Sequence, residues 1–175
     1  GPEIDAMRKD VDEMSMMLED YLAFARGDSG EVAQPTDMAM ALEELRSDAE
    51  RHGHTATVAF HGLPVVTVKP ASFKRCLANL VSNAARHANT ISITGQRHHR
   101  YLNITIDDDG PGIPADMREE VFKPFLRLDD ARNQDEGGSG LGLAIARDIA
   151  RSHGGDILLS ESPMGGLRAA VRVPV

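Results

Sequence analysis

The chain has one cysteine, Cys76, among 175 residues. No disulfide can close within it, and the composition fits a reducing compartment. Nowhere is there an apolar run near the ~20 residues that cross a bilayer, and no signal-peptide pattern opens the chain. Positive charge is in deficit: 19 Lys and Arg against 27 Asp and Glu leave a formal net charge of −8. That balance argues against a nucleic-acid binder, since no basic stripe is on offer, while a locally basic pocket for one small anion is compatible with it. No Gly-Lys-Ser/Thr follows any glycine cluster, which excludes a P-loop. There is no internal repeat. Tryptophan is absent as well, which excludes nothing.

What is present suits a soluble packed domain with an appendage: 41% hydrophobic and 26% charged residues. The opening Gly1-Pro2 has the form of a scar left by tag removal, so a piece cut from a longer chain is expected. Ile4, Met7, Val11, Met14, Leu18, Tyr21 and Ala25 follow at alternating steps of three and four. Such a sustained heptad stripe favours a bundle or dimer seam over a simple surface helix. "ARGDSGE" then reads as a hinge, which divides the chain into a helical segment, 1–28, and a mixed α and β domain, 29–175.

In the second part Thr36 is placed to cap a helix over about 37–52, with Met40, Leu42 and Leu45 among its apolar residues. "TATVAFHG" and "PVVTVKP" read as strands. Pro70 opens a helix through "NLVSNAARHA", with Ser72 helping to start it. "TISITGQ" and "RYLNITIDDD" read as a hairpin around "RHH", and a short helix is expected over about 114–121. A polar stretch, "RLDDARNQDEGGSG", precedes a helix over about 141–153 that Gly154-Gly155 should stop. "DILLSES" and "LRAAVRVPV" close the chain as strands joined at "PMGG".

Three groups of residues can carry chemistry. On the Pro70 helix, Asn79, Asn83, Arg86 and His87 fall within about a 100° arc at 100° per residue. Phe73, Leu77, Leu80, Val81, Ala84 and Ala88 fill a neighbouring arc that can pack on a sheet. Amide oxygens suit Mg²⁺, which commonly takes phosphate oxygens and waters as well. A plain polar face turned to water has the same pattern. In "YLNITIDDDGPGIP", strand alternation carries Asp108 onto the face of Leu102, Ile104 and Ile106, with Asp107 and Asp109 turned the other way. A carboxylate aimed at a core is costly without a partner, and an adenine amino group is one such partner. Gly110 and Gly112 would let a flat ring approach the backbone, although an acidic turn after a strand looks alike. Third, Gly138, Gly140 and Gly142 lead into a helix whose free N–H groups form a natural phosphate site; glycines of a mobile loop are the alternative. The joint occurrence of the three in one chain favours an ATP site.

At these residues the sequence resembles the catalytic, ATP-binding domain of bacterial sensor histidine kinases, within the GHKL group of ATPases, over about Glu31 to Val175. "NLVSNAARHA" is similar to the family's N box and "DDDGPGIP" to its first glycine box. "VFKPFLR" is similar to its F box, and "GGSGLGLAIA" to its second glycine box. "NAAR" and "PFLRLDDAR" look most like the EnvZ-type osmosensing branch. The resemblance implies a Bergerat-type α/β two-layer sandwich, with three helices on one face of a mixed, largely antiparallel sheet and one long helix before it. It implies ATP and Mg²⁺ as ligands. Asn83 would be the main metal ligand, supported by Asn79, and Asp108 would read the adenine amino group. Gly110, Gly112 and Ile113 would shape the base pocket, with Arg86, His87 and Phe125 also in the nucleotide site. Gly138, Ser139, Gly140, Leu141 and Gly142 would meet the phosphates. Arg127 and Arg132 match positions where cations act near the γ-phosphate, and about 123–138 would form an ATP lid.

Two departures stand out: the usual N-box lysine is Arg86, a fork donor, and the aromatic that often follows is His87. ATP-hydrolysing relatives such as chaperones and gyrase-type topoisomerases carry a general-base glutamate where Asn79 stands, and a neutral amide cannot take a proton. The resemblance therefore implies phosphoryl transfer to a histidine, with an ATP-hydrolysing machine or a non-catalytic nucleotide-binding and dimerisation module as the alternatives. The first helix is similar to the second helix of the phosphoacceptor hairpin; no "His-Glu-x-x-Thr-Pro" box is present. The implied partners are that hairpin, in cis or trans, a response-regulator receiver domain, and a second copy in the full-length protein. Nucleic acid is not among them, and a membrane would be met only through other segments. The implied place is the cytoplasmic side of an inner-membrane sensor.

Overall fold

A computed structural model of the chain describes residues 1–26, 30–124 and 140–175. The heptad segment is one helix, α1 (Pro2–Arg26), with acidic residues Glu3 and Asp5 in its first turn, where they complement the helix dipole. Its stripe stays exposed: Ile4, Met7, Val11, Met14, Leu18 and Tyr21 all lie open to solvent.

The rest builds two layers. In chain order come β1 (Gln34–Asp37), α2 (Met38–Arg51), β2 (Thr55–His61), β3 (Val65–Val68), α3 (Pro70–His87), β4 (Thr90–Arg97) and β5 (Tyr101–Asp108). Two 3-10 turns follow, Ala115–Met117 and Glu120–Phe122, and then α4 (Gly142–Ser152), β6 (Asp156–Glu161) and β7 (Leu167–Pro174). The main sheet runs β2-β4-β5-β7-β6. Only β2 and β4 are parallel; the other three pairings are antiparallel. Alternation sends Ile91 and Ile93, Leu102, Ile104 and Ile106, and Ala169, Val171 and Val173 inward. Met38 and Leu42 of α2, Phe73, Leu77 and Leu80 of α3, and Ile145 and Ile149 of α4 pack on that face. The outer face carries Thr57, Ser92, Thr94, Asn103 and Thr105, in keeping with a sheet solvated on one side. The mixed, largely antiparallel sheet with three helices on one face and a long helix before it is the expected architecture.

Several local expectations give way. Strand β1, hidden from pattern reading by its proline and four-residue length, pairs antiparallel with β3. Asp37, not Thr36, caps α2: its Oδ1 accepts the Met40 N–H at 3.0 Å, while the Thr36 hydroxyl donates back to the Gln34 carbonyl. Met40 is 63% exposed, whereas Leu42 is fully buried. Ser72 does not cap α3. That helix is closed from a distance by Glu31, whose carboxylate accepts the N–H groups of Ala71 at 2.7 Å and Ser72 at 3.0 Å. The helix expected over 114–121 is instead the two 3-10 turns. Lys123 ends the second in an extended conformation, as a residue before proline must. The hinge at 27–29 lies outside the described residues.

Candidate functional site

Helix α3 places its polar arc at the edge of the helical layer. Phe73, Leu77, Leu80, Val81 and Ala84 are buried, and so is Ala88 just past the helix, so the apolar arc is spent on the core. Asn79, Asn83 and Arg86 are left half-buried and His87 exposed. The Asn79 amide donates to the Gly142 carbonyl at 3.2 Å, which joins the first group of residues to the third. Among the described residues Asn83 Oδ1 meets the Arg86 guanidinium, at a long 3.4 Å, and it keeps acceptor capacity for a further ligand. Among the described residues no cluster of three or more His, Cys, Asp or Glu side chains can hold a metal. An ion at this place would need amides completed by ligand oxygens and waters, which is Mg²⁺ chemistry.

The three aspartates at the end of β5 are sorted by alternation. Asp108 turns inward, 3% exposed. Its Oδ1 accepts the N–H groups of Gly110 at 2.9 Å and Leu167 at 3.0 Å, and these two bonds hold the carboxylate in one orientation. Asp107 faces outward and is gripped by Arg168 at 2.8 and 3.0 Å. The hydrogen bond to Asp107 raises the Arg168 pKa. Asp109 accepts the N–H groups of Asn89 and Thr90 at 2.9 and 3.0 Å. The Thr90 bond first, with the Asn89 bond, holds its carboxyl below the ordinary range. Asp109 thereby staples this strand end to the residues after α3, and the second group of residues sits against the first.

The glycines divide by what the fold asks of them. A Cβ on Gly110 would come 2.8 Å from the His87 carbonyl, so the close approach there is to the chain's own backbone. Gly112 and Gly140 have positive φ, 74° and 78°, a conformation that favours glycine. At Gly142 a Cβ would meet nothing within 4 Å among the described residues, and none of their side chains caps α4. Packing among the described residues therefore does not explain a glycine at the mouth of that helix. Leu141 beside it is fully buried, so its side chain belongs to the core and not to the site surface. Ile113 is half-buried against the core. Phe125, Arg127, Arg132, Gly138 and Ser139, and the stretch 125–138 of the expected lid, lie outside the described residues.

Pattern reading missed three features. Gly166 looked like an ordinary turn residue, yet a Cβ on it would lie 2.2 Å from Asp108 Oδ1. Arg147 links Glu119 with Asp156, at 2.9 Å to the latter, and its guanidinium lies 4.0 Å over the Phe122 ring. It thus ties the chain leaving the site to α4 and β6. The bond to Glu119 raises its pKa. Glu31 is the third. Only Gly166 left a trace in the sequence, a Gly-Gly pair directly before an alternating strand.

Comparison with known proteins agrees with this geometry. Residues 68–175 match the family described as histidine kinase-, DNA gyrase B-, and HSP90-like ATPase. The sensor histidine kinase CpxA of Escherichia coli K12 is 32% identical over 99% of this chain and 40% of its own length. The chain thus spans about two-fifths of that relative. The ATP binding domain of PrrB from Mycobacterium tuberculosis superposes with a TM-score of 0.68 at 27% identity, covering 81% of this chain and 96% of that one. Full-length ShkA in complex with AMPPNP has a TM-score of 0.84 at 22% identity, covering 99% of this chain and 38% of that one, a likeness of fold.

Proposed function

The chain belongs to the histidine kinase-, DNA gyrase B-, and HSP90-like ATPase family, and on that premise we propose that it binds Mg-ATP and donates the γ-phosphoryl group to a histidine on a hairpin helix, as the catalytic domain of a sensor histidine kinase. Its similarity to CpxA over 99% of its length supports the kinase branch of that family. Asp108 carries the nucleotide reading. A carboxylate 3% exposed, with one oxygen occupied by two backbone donors, is an oriented acceptor suited to the exocyclic amino group of adenine.

The residues present fit the ligands. Asn83, with Asn79 behind it, would hold Mg²⁺, whose charge would offset that of the triphosphate. The open space at Gly142 would admit phosphate oxygens to the first N–H groups of α4. Arg86 would supply a cation at the N-box lysine position, and Arg127 and Arg132 further cations near the γ-phosphate. With Asn79 where hydrolytic relatives have their general base, and its amide engaged by Gly142, that position has no group able to deprotonate water. Transfer then depends on positioning and charge. Helix α1, with its exposed heptad stripe, is the second helix of the phosphoacceptor hairpin in this reading. It would pair with its missing partner helix and with a second copy, and a response-regulator aspartate would receive the phosphoryl group. No described helix is long and apolar enough to cross a membrane; the parent protein is read as an inner-membrane sensor with this part in the cytoplasm.

Titration with a non-hydrolysable ATP analogue and Mg²⁺ tests the reading. Asp108→Asn is expected to weaken binding by about 10-fold or more, the scale of a lost directional polar contact, with the fold retained by circular dichroism. Unchanged affinity would remove the assignment of Asp108. Mixing the protein with a separately made hairpin and γ-labelled ATP should move label to the hairpin histidine. Steady phosphate release without any hairpin would place the chain with the hydrolytic branch instead.

A further inference from the structure

Asp107 looks away from the helices and from the site, yet it is only 6% exposed. Arg168 covers it, Nε at 2.8 Å from Oδ1 and Nη2 at 3.0 Å from Oδ2, fork against fork. The two residues face each other on the last paired rung between β5 and β7. Other outer-face rungs are filled by residues such as Thr94 opposite Thr105, so the sheet as such does not require a buried ion pair at this place. Beyond the rung the bonding changes character. The Gly166 N–H donates to the Asp108 carbonyl at 3.1 Å, but the next N–H, from Leu167, goes to the Asp108 side chain. There is no slack, since Gly166 lies against that same carboxylate.

We propose that Arg168, held by Asp107, is a positioning residue for base recognition: from the far side of the sheet it closes the final β5–β7 rung and so sets the orientation of Asp108. The inference rests on the reading of Asp108 as the adenine acceptor. If the rung opens, Leu167 moves off Oδ1, the carboxylate turns more freely, and selection between an amino and a keto group at C6 of a purine weakens. A role in stability alone has a different signature. Asp107 is buried under a partly exposed Arg168, so breaking the pair can lower stability, but a loss of stability alone gives no reason to favour one purine over another.

The test compares the affinities of ATP and inosine triphosphate for the unaltered chain and for Arg168→Met, Asp107→Asn, and the exchanged pair Asp107→Arg with Arg168→Asp. The single variants are expected to lower the preference for ATP by about 10-fold, through weaker ATP binding with little change for inosine triphosphate, because orientation of a buried polar group governs such discrimination. The exchanged pair should recover at least part of it. Single variants that melt earlier yet keep the full preference would overturn the proposal. If Arg168→Met does not fold, Arg168→Lys, which keeps the charge and loses the fork, is judged by the same ratio. A preference lost in Asp108→Asn but kept in every Arg168 variant sinks this inference alone; no preference in the unaltered chain sinks the reading of Asp108 with it.

Discussion

At its N-terminal tip helix α3 is closed on every side that packing offers. Glu31 accepts two of its first N–H groups, Pro70 removes another, and the Lys69 N–H before it goes to His153 Nε2 at 3.1 Å, while the His153 ring tilts against Phe73 at 5.1 Å. Thirteen residues after Pro70 the same helix presents Asn83, whose Oδ1 has, among the described residues, the 3.4 Å approach of Arg86, and then an exposed His87. One end has its polar groups matched to protein. At the other, Asn83 keeps acceptor capacity beside a carboxylate that is already aimed. Buried or half-buried polar groups are ordinarily paired, so the contrast separates an end that serves structure from the end assigned to the site in the proposed reading.

Asn83→Ala is the strongest way to break the contrast. It should abolish phosphoryl transfer to an added hairpin, a loss of about 100-fold or more for a group that would hold the charge-neutralising metal in the proposed reading, while the thermal midpoint stays close to that of the unaltered protein. A large fall in midpoint would mean that this end, too, is structural. Glu31→Gln probes the opposite end and should do the reverse. Removing a charged cap costs about 0.5–1 kcal/mol, read in denaturant melts, with nucleotide affinity per folded molecule unchanged. The pH dependence sharpens this. Although desolvation opposes it, hydrogen bonding from Ser72 and Ala71 sets the Glu31 carboxyl below its ordinary value of 4.5. A depressed native pKa stabilises the fold above about pH 4.5, and that contribution fades as pH falls through the lower native value. The Gln variant should lack this part of the acid limb. The smallest effect is expected midway along the helix. Burial pushes the Cys76 thiol up to about 12, so at pH 8 a thiol reagent should react only as fast as the chain unfolds. Rapid labelling of the native protein would contradict the packing of α3 on α4.

Much of this was legible in the chain itself. The apolar arc of α3, the inward turn of Asp108 and the Gly154-Gly155 stop of α4 follow from periods of 3.6 and 2 and from backbone preferences, all of which act over a few residues. Those local rules also mislead at particular places. Thr36 and Ser72 are sound capping residues by type, yet Asp37 stands one step nearer the first turn of α2, and the Glu31 carboxylate reaches α3 across 41 residues.

By itself, then, the sequence determined the main helices and most strands, the inward faces of α3 and β5, and the three groups of residues assigned to a nucleotide, because those properties are written in short-range spacing. Only the tertiary structure decided how they are held. Asn79 meets Gly142 across 63 residues, and Asp108 meets Leu167 across 59. Contacts of that span depend on which elements become neighbours and in what register, and a one-residue slip of β5 would send Asp108 to the wrong face.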